Sequence, residues 1–326
     1  MIRIATVGTS VITDAFIAAA SRTPGIEVAA VSSRDAAKAR AYADRVGVRS
    51  AFGGLDAVLA SDDIDAVYIG SPNSAHGGQV AAAIDAGKHV LVEKPAVGSA
   101  EEWDDLVARA NRSGVVLLEA MRTAYDPGMV AVREGIGSLG AVRRASFHYS
   151  KRSSRYDAVL AGDVPNIFDP AMGGGALADL GVYGVHAAIV LFGEPSGVTA
   201  ASVPIPTGVD GAGIALLAYP GFVVDVSYSK ITTSTRPSEV QGEAATLVID
   251  HLASPRLLTR VDGTGAPAET VIAGAPDALD GEVARFVDLI ANALAGVRDS
   301  AVVDQARTAA TLRTLERIRD AAAAMR

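Results

Sequence analysis

Apolar residues in the first third of the chain come in short, mostly apolar runs, separated by longer stretches where they recur at helical spacing. Ile2–Gly8, Val28–Ser32, Ala66–Ile69, His89–Glu93 and Val115–Glu119 are the runs, and they read as buried strands. Asp14–Ser21, Asp35–Arg45, Ala75–Ala86 and Ala100–Ala110 lie between or beside them and read as helices. Ser99 stands at an N-cap place, and Asp85-Ala86-Gly87 reads as a helix end. Strands and helices in this rhythm predict a doubly wound parallel sheet. Such sheets bind ligands at the carboxyl ends of their strands.

Beyond residue 122 the pattern changes. Ala141–Tyr149 alternates, and Val198–Val203, Gly213–Tyr219, Val223–Ser229, Ala245–Ile249 and Leu257–Val261 are further strand candidates. Turn signals at YPG (219–221) and DGTG (262–265) separate some of them. This predicts an open, largely antiparallel sheet. Two helices close the chain, Asp277–Ala295 and Ala301–Met325. The fold class is therefore α/β with a second α+β domain. The expected domains are 1–122 and 123–326, with the last helix free to pack back on the first.

Length agrees, since 326 residues exceed what one core usually serves. The net charge of -8 gives no overall attraction to nucleic acid or to an anionic membrane. The chain has no cysteine, which removes disulfides, thiolate nucleophiles and cysteine metal sites. His76, His89, His148, His186 and His251 show no compact ligand spacing, so no metal is expected. MIRIATVGTS lacks a signal-peptide layout, and no unbroken apolar run approaches a membrane span. A cytoplasmic enzyme is the expectation.

The first βα loop is Gly8-Thr9-Ser10-Val11-Ile12. A dinucleotide fingerprint has glycine at its first, third and sixth places. Here only Gly8 is present, with Ser10 and Thr13 at the other two. Amides at the helix start, helped by the Thr9 and Ser10 hydroxyls, suit a phosphate; a plain βα turn explains the same residues. The second strand ends in Ser33-Arg34 rather than the acid usual for NAD. A hydroxyl and a guanidinium suit a 2′-phosphate, favouring NADP over NAD. A solvent-exposed arginine is the plain alternative, and Asp35 reads as a helix cap.

The fourth of these strands ends in Glu93-Lys94-Pro95. A lysine there points to the ligand crevice, where an ammonium stabilises a developing alkoxide; a surface salt bridge accounts for it nearly as well. Later, Gly173–Gly175 lead into a predicted helix with Asp179, Tyr183 and His186 at intervals of four and three. That spacing puts an acid, a phenol and an imidazole roughly on one face. Taken singly, Tyr183 also reads as a core tyrosine and His186 as structural.

Together, EKP and the segment GGGALADLGVY, with the strand pattern around them, resemble the Gfo/Idh/MocA family of NAD(P)-dependent oxidoreductases over nearly the whole chain. The form DLGVY resembles the branch with dimeric dihydrodiol dehydrogenases and glucose–fructose oxidoreductase. The sparse glycines of the first loop depart from the family. The resemblance implies a Rossmann domain and an NADP-preferring hydride transfer at a carbinol or carbonyl carbon of a sugar, polyol or trans-diol. It implies Lys94 and Tyr183 as the catalytic pair, with Asp179 in the substrate site. Ser71, Pro72, Asn73, His76 and Glu93 join the cofactor side. Arg122, Tyr156, Asn166 and, with less weight, His186 join the substrate side. It also implies a homodimer or larger homo-oligomer through the open sheet. Two other readings stay open: a cofactor-binding protein without turnover, and an NAD-assisted glycosidase or lyase.

Overall fold

The computed structural model describes residues 1–272, 279–297 and 300–325. The expected helix start at Asp277 lies outside them. The chain divides into two compact units, Met1–Met121 with Pro276–Ala309, and Arg122–Ala275 with Ala310–Arg326.

The first unit alternates strand and helix: β1 (Ile2–Val7), α1 (Val11–Arg22), β2 (Ile26–Ser33), α2 (Ala36–Val46), β3 (Ser50–Gly53), α3 (Leu55–Leu59), β4 (Ala66–Ile69), α4 (His76–Asp85), β5 (His89–Glu93), α5 (Ala100–Ser113) and β6 (Leu117–Ala120). The six strands are parallel, in the order β3-β2-β1-β4-β5-β6. Every residue of β4 and β6 is buried, as a sheet covered on both faces requires. The strand order reverses between β1 and β4, and the ligand crevice of such sheets opens at that point. Phe16 of α1 stacks on Tyr68 of β4, with ring centroids 3.9 Å apart. Sequence reading missed β3 and α3, each too short to show a period.

The second unit contains α6 (Pro127–Ile136), β7 (Val142–Ser150), α7 (Tyr156–Leu160), α8 (Val182–Phe192), β8 (Gly197–Pro204), β9 (Asp210–Tyr219), β10 (Phe222–Ser229), β11 (Ser238–Gly242), β12 (Ala245–Ile249), β13 (Leu257–Asp262) and β14 (Pro267–Val271). Its sheet runs β14-β13-β12-β11-β7-β10-β9-β8. All pairs are antiparallel except β7 with β10. The sequence did not announce β11 or β14; β14 is exposed along its whole length and carries no buried alternation to read.

Alternation gives this sheet two unlike faces. Ala145, Phe147, Ala215, Leu217, Val224 and Val226 are buried on the face against which α8 packs. Ile214, Leu216 and Val223, in register with Ser227, Asp225 and Arg144, are exposed on the other. The helical run Pro170–Phe192 is long and apolar enough to cross a membrane by composition, yet 78 % of its most apolar window is buried within the protein. Counting unbroken runs alone overlooks it. Two helices complete the chain, α9 (Asp280–Leu294) and α10 (Val302–Ala324). In the first unit, Arg22 of α1 pairs with Asp280 of α9 at 2.6 Å.

Candidate active site

In the first unit the candidate residues gather where β1, β4 and β5 end. Gly8 has φ +116°, and a Cβ there would lie 2.6 Å from the carbonyl oxygen of Gly70. Only glycine lets the two strand ends approach so closely. Gly70 completes that contact. Thr9 is half-buried, and Ser10 is the exposed N-cap residue of α1. The Ser10 side chain makes no capping bond, so the first-turn amides are not tied up by it. Val11 is exposed and Ile12 half-buried.

At the end of β2, Ser33 is half-buried and Arg34 exposed. Arg34 makes no ion pair among the described residues. Asp35 caps α2, accepting the N–H groups of Ala37 at 2.8 Å and Lys38 at 3.1 Å, as the sequence predicted.

The loops after β4 and β5 are tied together by His76. Its Nδ1 lies 3.1 Å from the Pro95 carbonyl and its Nε2 3.0 Å from that of Ser71. The ring is fully enclosed, and burial lowers its pKa from the usual histidine value. Ser71 donates its hydroxyl to Gln79 Oε1 at 2.6 Å. Pro72 leads into the short turn Asn73–Ala75, in which Asn73 is half-buried. Glu93 accepts from the Tyr68 hydroxyl at 2.7 Å and from the Lys94 amide at 3.2 Å. Lys94 is half-buried, and its bond to Pro95 is cis.

Glu119, at the end of β6, was read in the sequence as nothing more than a strand terminus. It accepts the Ala96 amide and the Thr308 hydroxyl, each at 2.9 Å. Burial pushes its carboxyl up to about 7, against the opposing pull of those two bonds. The sequence signal was an acid inside an apolar strand, which is uncommon unless partnered.

In the second unit the three glycines enter a tight turn. Gly175 has φ +128°, and a Cβ there would lie 2.3 Å from Asp210 Oδ1. Asp210 Oδ2 accepts the Leu177 amide at 2.7 Å. The regular helix expected here opens instead with a π-helical turn, Leu177–Gly181, before α8 begins. Such turns are frequent at functional sites. Asp179 lies in that turn and forms an ion pair with Lys230, just after β10. The Lys230 side chain is 5 % exposed and that of Asp179 39 %. Phe168 stands beside the same ammonium, 5.7 Å from ring centroid to Nζ, and Tyr156 packs on Phe168 at 5.8 Å.

Tyr183 is buried at the head of α8. The Arg122 guanidinium lies 5.1 Å from its ring centroid, and Tyr149 of β7 meets the ring at 5.5 Å and 52°. His251 stands edge-on to Tyr149 at 4.9 Å. His186 is enclosed, with Nδ1 3.1 Å from Thr311 Oγ1, a contact made with α10. Asn166 is exposed at the start of a short turn, Asn166–Phe168. The structure thus joins Tyr183 with Arg122, and Asp179 with Lys230, whereas Asn166 and His186 lie outside both contacts. Lys230, Tyr149 and Asp210 were not foreseen. A lysine ending the apolar run of β10 was the available signal for the first.

Two family models match the chain. Residues 2–121 match the Gfo/Idh/MocA oxidoreductase family, NAD-binding Rossmann fold, and residues 132–248 match a Gfo/Idh/MocA C-terminal domain. The chain is 40 % identical over 290 residues to scyllo-inositol 2-dehydrogenase (NADP(+)) of Bacillus subtilis, covering 89 % of this chain and 88 % of that one. It is 37 % identical over 219 residues to D-xylose 1-dehydrogenase (NADP(+)) 2 of Haloferax volcanii, covering 66 % and 65 %. Among solved structures, it is similar to a 3-ketoreductase from Actinomadura kijaniata crystallised with NADP and TDP-benzene. The TM-score is 0.85 at 24 % identity, over 98 % of this chain and 97 % of that one.

Proposed function

This chain belongs to the Gfo/Idh/MocA family of NAD(P)-dependent oxidoreductases, and from that premise we propose that it is an NADP-preferring dehydrogenase or reductase acting on a sugar, polyol or trans-diol. The observation that carries the reading is the acid and phenol at the head of α8, Asp179 held by Lys230 and Tyr183 flanked by Arg122. A phenol beside a fixed cation is equipped to exchange a proton with a substrate hydroxyl.

The first unit's residues fit an NADP-type dinucleotide. Gly8 lets the ends of β1 and β4 approach closely, and the start of α1 offers amides to a phosphate. Arg34, without an ion-pair partner among the described residues, suits a 2′-phosphate with Ser33 beside it. Gly8, Thr9, Ser10, Val11, Ile12, Ser71, Pro72, Asn73, His76 and Glu93 make up the rest of the cofactor side. When bound, the cofactor supplies the hydride acceptor for oxidation or the donor for reduction. In oxidation, Tyr183 would take the hydroxyl proton of the carbinol whose hydride the bound cofactor would accept. In reduction, Tyr183 returns that proton. Lys94 assists the proton transfer, and Asp179 receives a substrate hydroxyl. Arg122, Tyr156, Asn166 and His186 were the remaining substrate-side candidates.

The exposed face bearing Ile214, Leu216 and Val223 supports a homodimer through the second sheet, checked by light scattering of wild type against Leu216→Arg. The function is tested by fluorescence titration with NADPH and NADH, followed by turnover of scyllo-inositol and D-xylose with NADP. Tight NADPH binding, weak NADH binding and turnover abolished by Tyr183→Phe are the expected results. NADPH binding with net consumption of substrate but no change in cofactor redox state would favour the glycosidase or lyase reading. Binding with no turnover of any polyol would favour the non-catalytic one.

A further inference from the structure

We propose that Arg122 is a positioning residue for Tyr183: its guanidinium, laid over the phenol ring, fixes the ring and favours the phenolate over the phenol, so that Arg122 sets the pH at which the site accepts a proton. The inference rests on the reading that Tyr183 carries the proton. It gives a specific task to a residue that the resemblance placed only on the substrate side.

The geometry starts in the backbone. Arg122 opens a short helical turn, Arg122–Ala124, directly after β6. Its neighbours Met121 and Thr123 are buried, and its carbonyl accepts the Tyr125 amide at 3.0 Å. That turn packs against α8, so the half-buried side chain projects from an anchored base. The guanidinium carbon stands 5.1 Å from the ring centroid, inside the range where a cation and an aromatic face attract. A positive charge so close stabilises a negative oxygen on the ring.

Arg122 is a cation in contact with the ring, and other charged and titratable groups of the second unit stand nearby. The Asp179 carboxylate, on the turn before Tyr183, is offset by Lys230. Tyr149, from β7, is uncharged as a phenol and touches the ring at a tilt. His251, beyond Tyr149, has its pKa lowered by burial and then by the charge of Arg122 itself.

The experiment is a pH titration of phenolate absorbance in the full-length protein. The Tyr183 component is obtained by subtracting the Tyr183→Phe curve. In Arg122→Met the midpoint of that component should rise by roughly one pH unit. Arg122→Lys, which keeps the charge but loses the plane, should fall between the two. Near-ultraviolet circular dichroism verifies folding, and Arg122→Gln replaces the methionine variant if that one does not fold. An unchanged midpoint in the folded variants overturns the proposal, as does an unchanged pH profile accompanied only by a raised KM. Because the titration needs no turnover, it separates from the functional reading. If Tyr183→Phe still oxidises the probe sugars, that reading fails whatever the titration gives.

Discussion

Lys230 and Asp179 form an ion pair in which the ammonium is enclosed and the carboxylate is partly wet, their side chains 5 % and 39 % exposed. The two ends of this pair are not equivalent. Asp179→Ala leaves a buried charge uncompensated and should cost roughly 2 kcal/mol, less than a fully enclosed pair because water reaches one partner. Lys230→Met leaves a carboxylate that water can solvate and should cost under about 1 kcal/mol. Urea unfolding of both variants measures the difference; equal losses would mean that Lys230 is solvated in solution.

Glu119 makes stability depend on pH. Its folded carboxyl is raised to about 7 by burial, above the unfolded value. A raised acid contributes stability that is whole below the unfolded pKa and is lost as pH rises through the folded one. The loss accumulates between about pH 4.5 and pH 7 and levels off above that, at a scale of roughly 3 kcal/mol. Glu119→Gln should flatten the melting temperature against pH across that window. Parallel curves for variant and wild type would refute the assignment.

The proposed 2′-phosphate contact of Arg34 can be tested directly. With no ion-pair partner among the described residues, Arg34 loses little when removed from the free protein. Arg34→Ala should weaken NADPH binding by roughly 10- to 100-fold, the scale of a charge-assisted phosphate contact. NADH binding should stay within a factor of about two. A matching loss for both nucleotides would place Arg34 outside the 2′-phosphate contact.

Gly8 separates backbone strain from an ordinary loop substitution. Alanine there meets both φ +116° and a carbonyl oxygen 2.6 Å from its Cβ. Gly8→Ala should lower stability by roughly 2 kcal/mol or more and weaken NADPH binding beyond what the stability loss explains. Denaturant unfolding combined with cofactor titration reads both effects.

Local periodicity carried most of the architecture. β4, β5 and β12 begin and end where their apolar runs do, because a buried strand must be apolar along its own length. The Asp35 cap was equally legible, since a capping side chain bonds the next turn of its own chain. The sequence by itself therefore determined the alternating parallel domain, the open second sheet and the positions of Lys94, Asp179 and Tyr183 at element ends.

Tertiary structure decided what those residues meet. The parallel pairing of β7 with β10 joins strands some 70 residues apart, and no local pattern specifies such a partner. The π turn at Leu177–Gly181 follows from packing and from Asp210 holding the Leu177 amide, not from propensity. The sequence offered Arg122 as a substrate-side candidate and did not single out Lys230; the fold lays the one on Tyr183 and pairs the other with Asp179. Charge and hydrogen-bonding capacity are properties of the residue, whereas partner and burial depend on distant segments that only folding brings together.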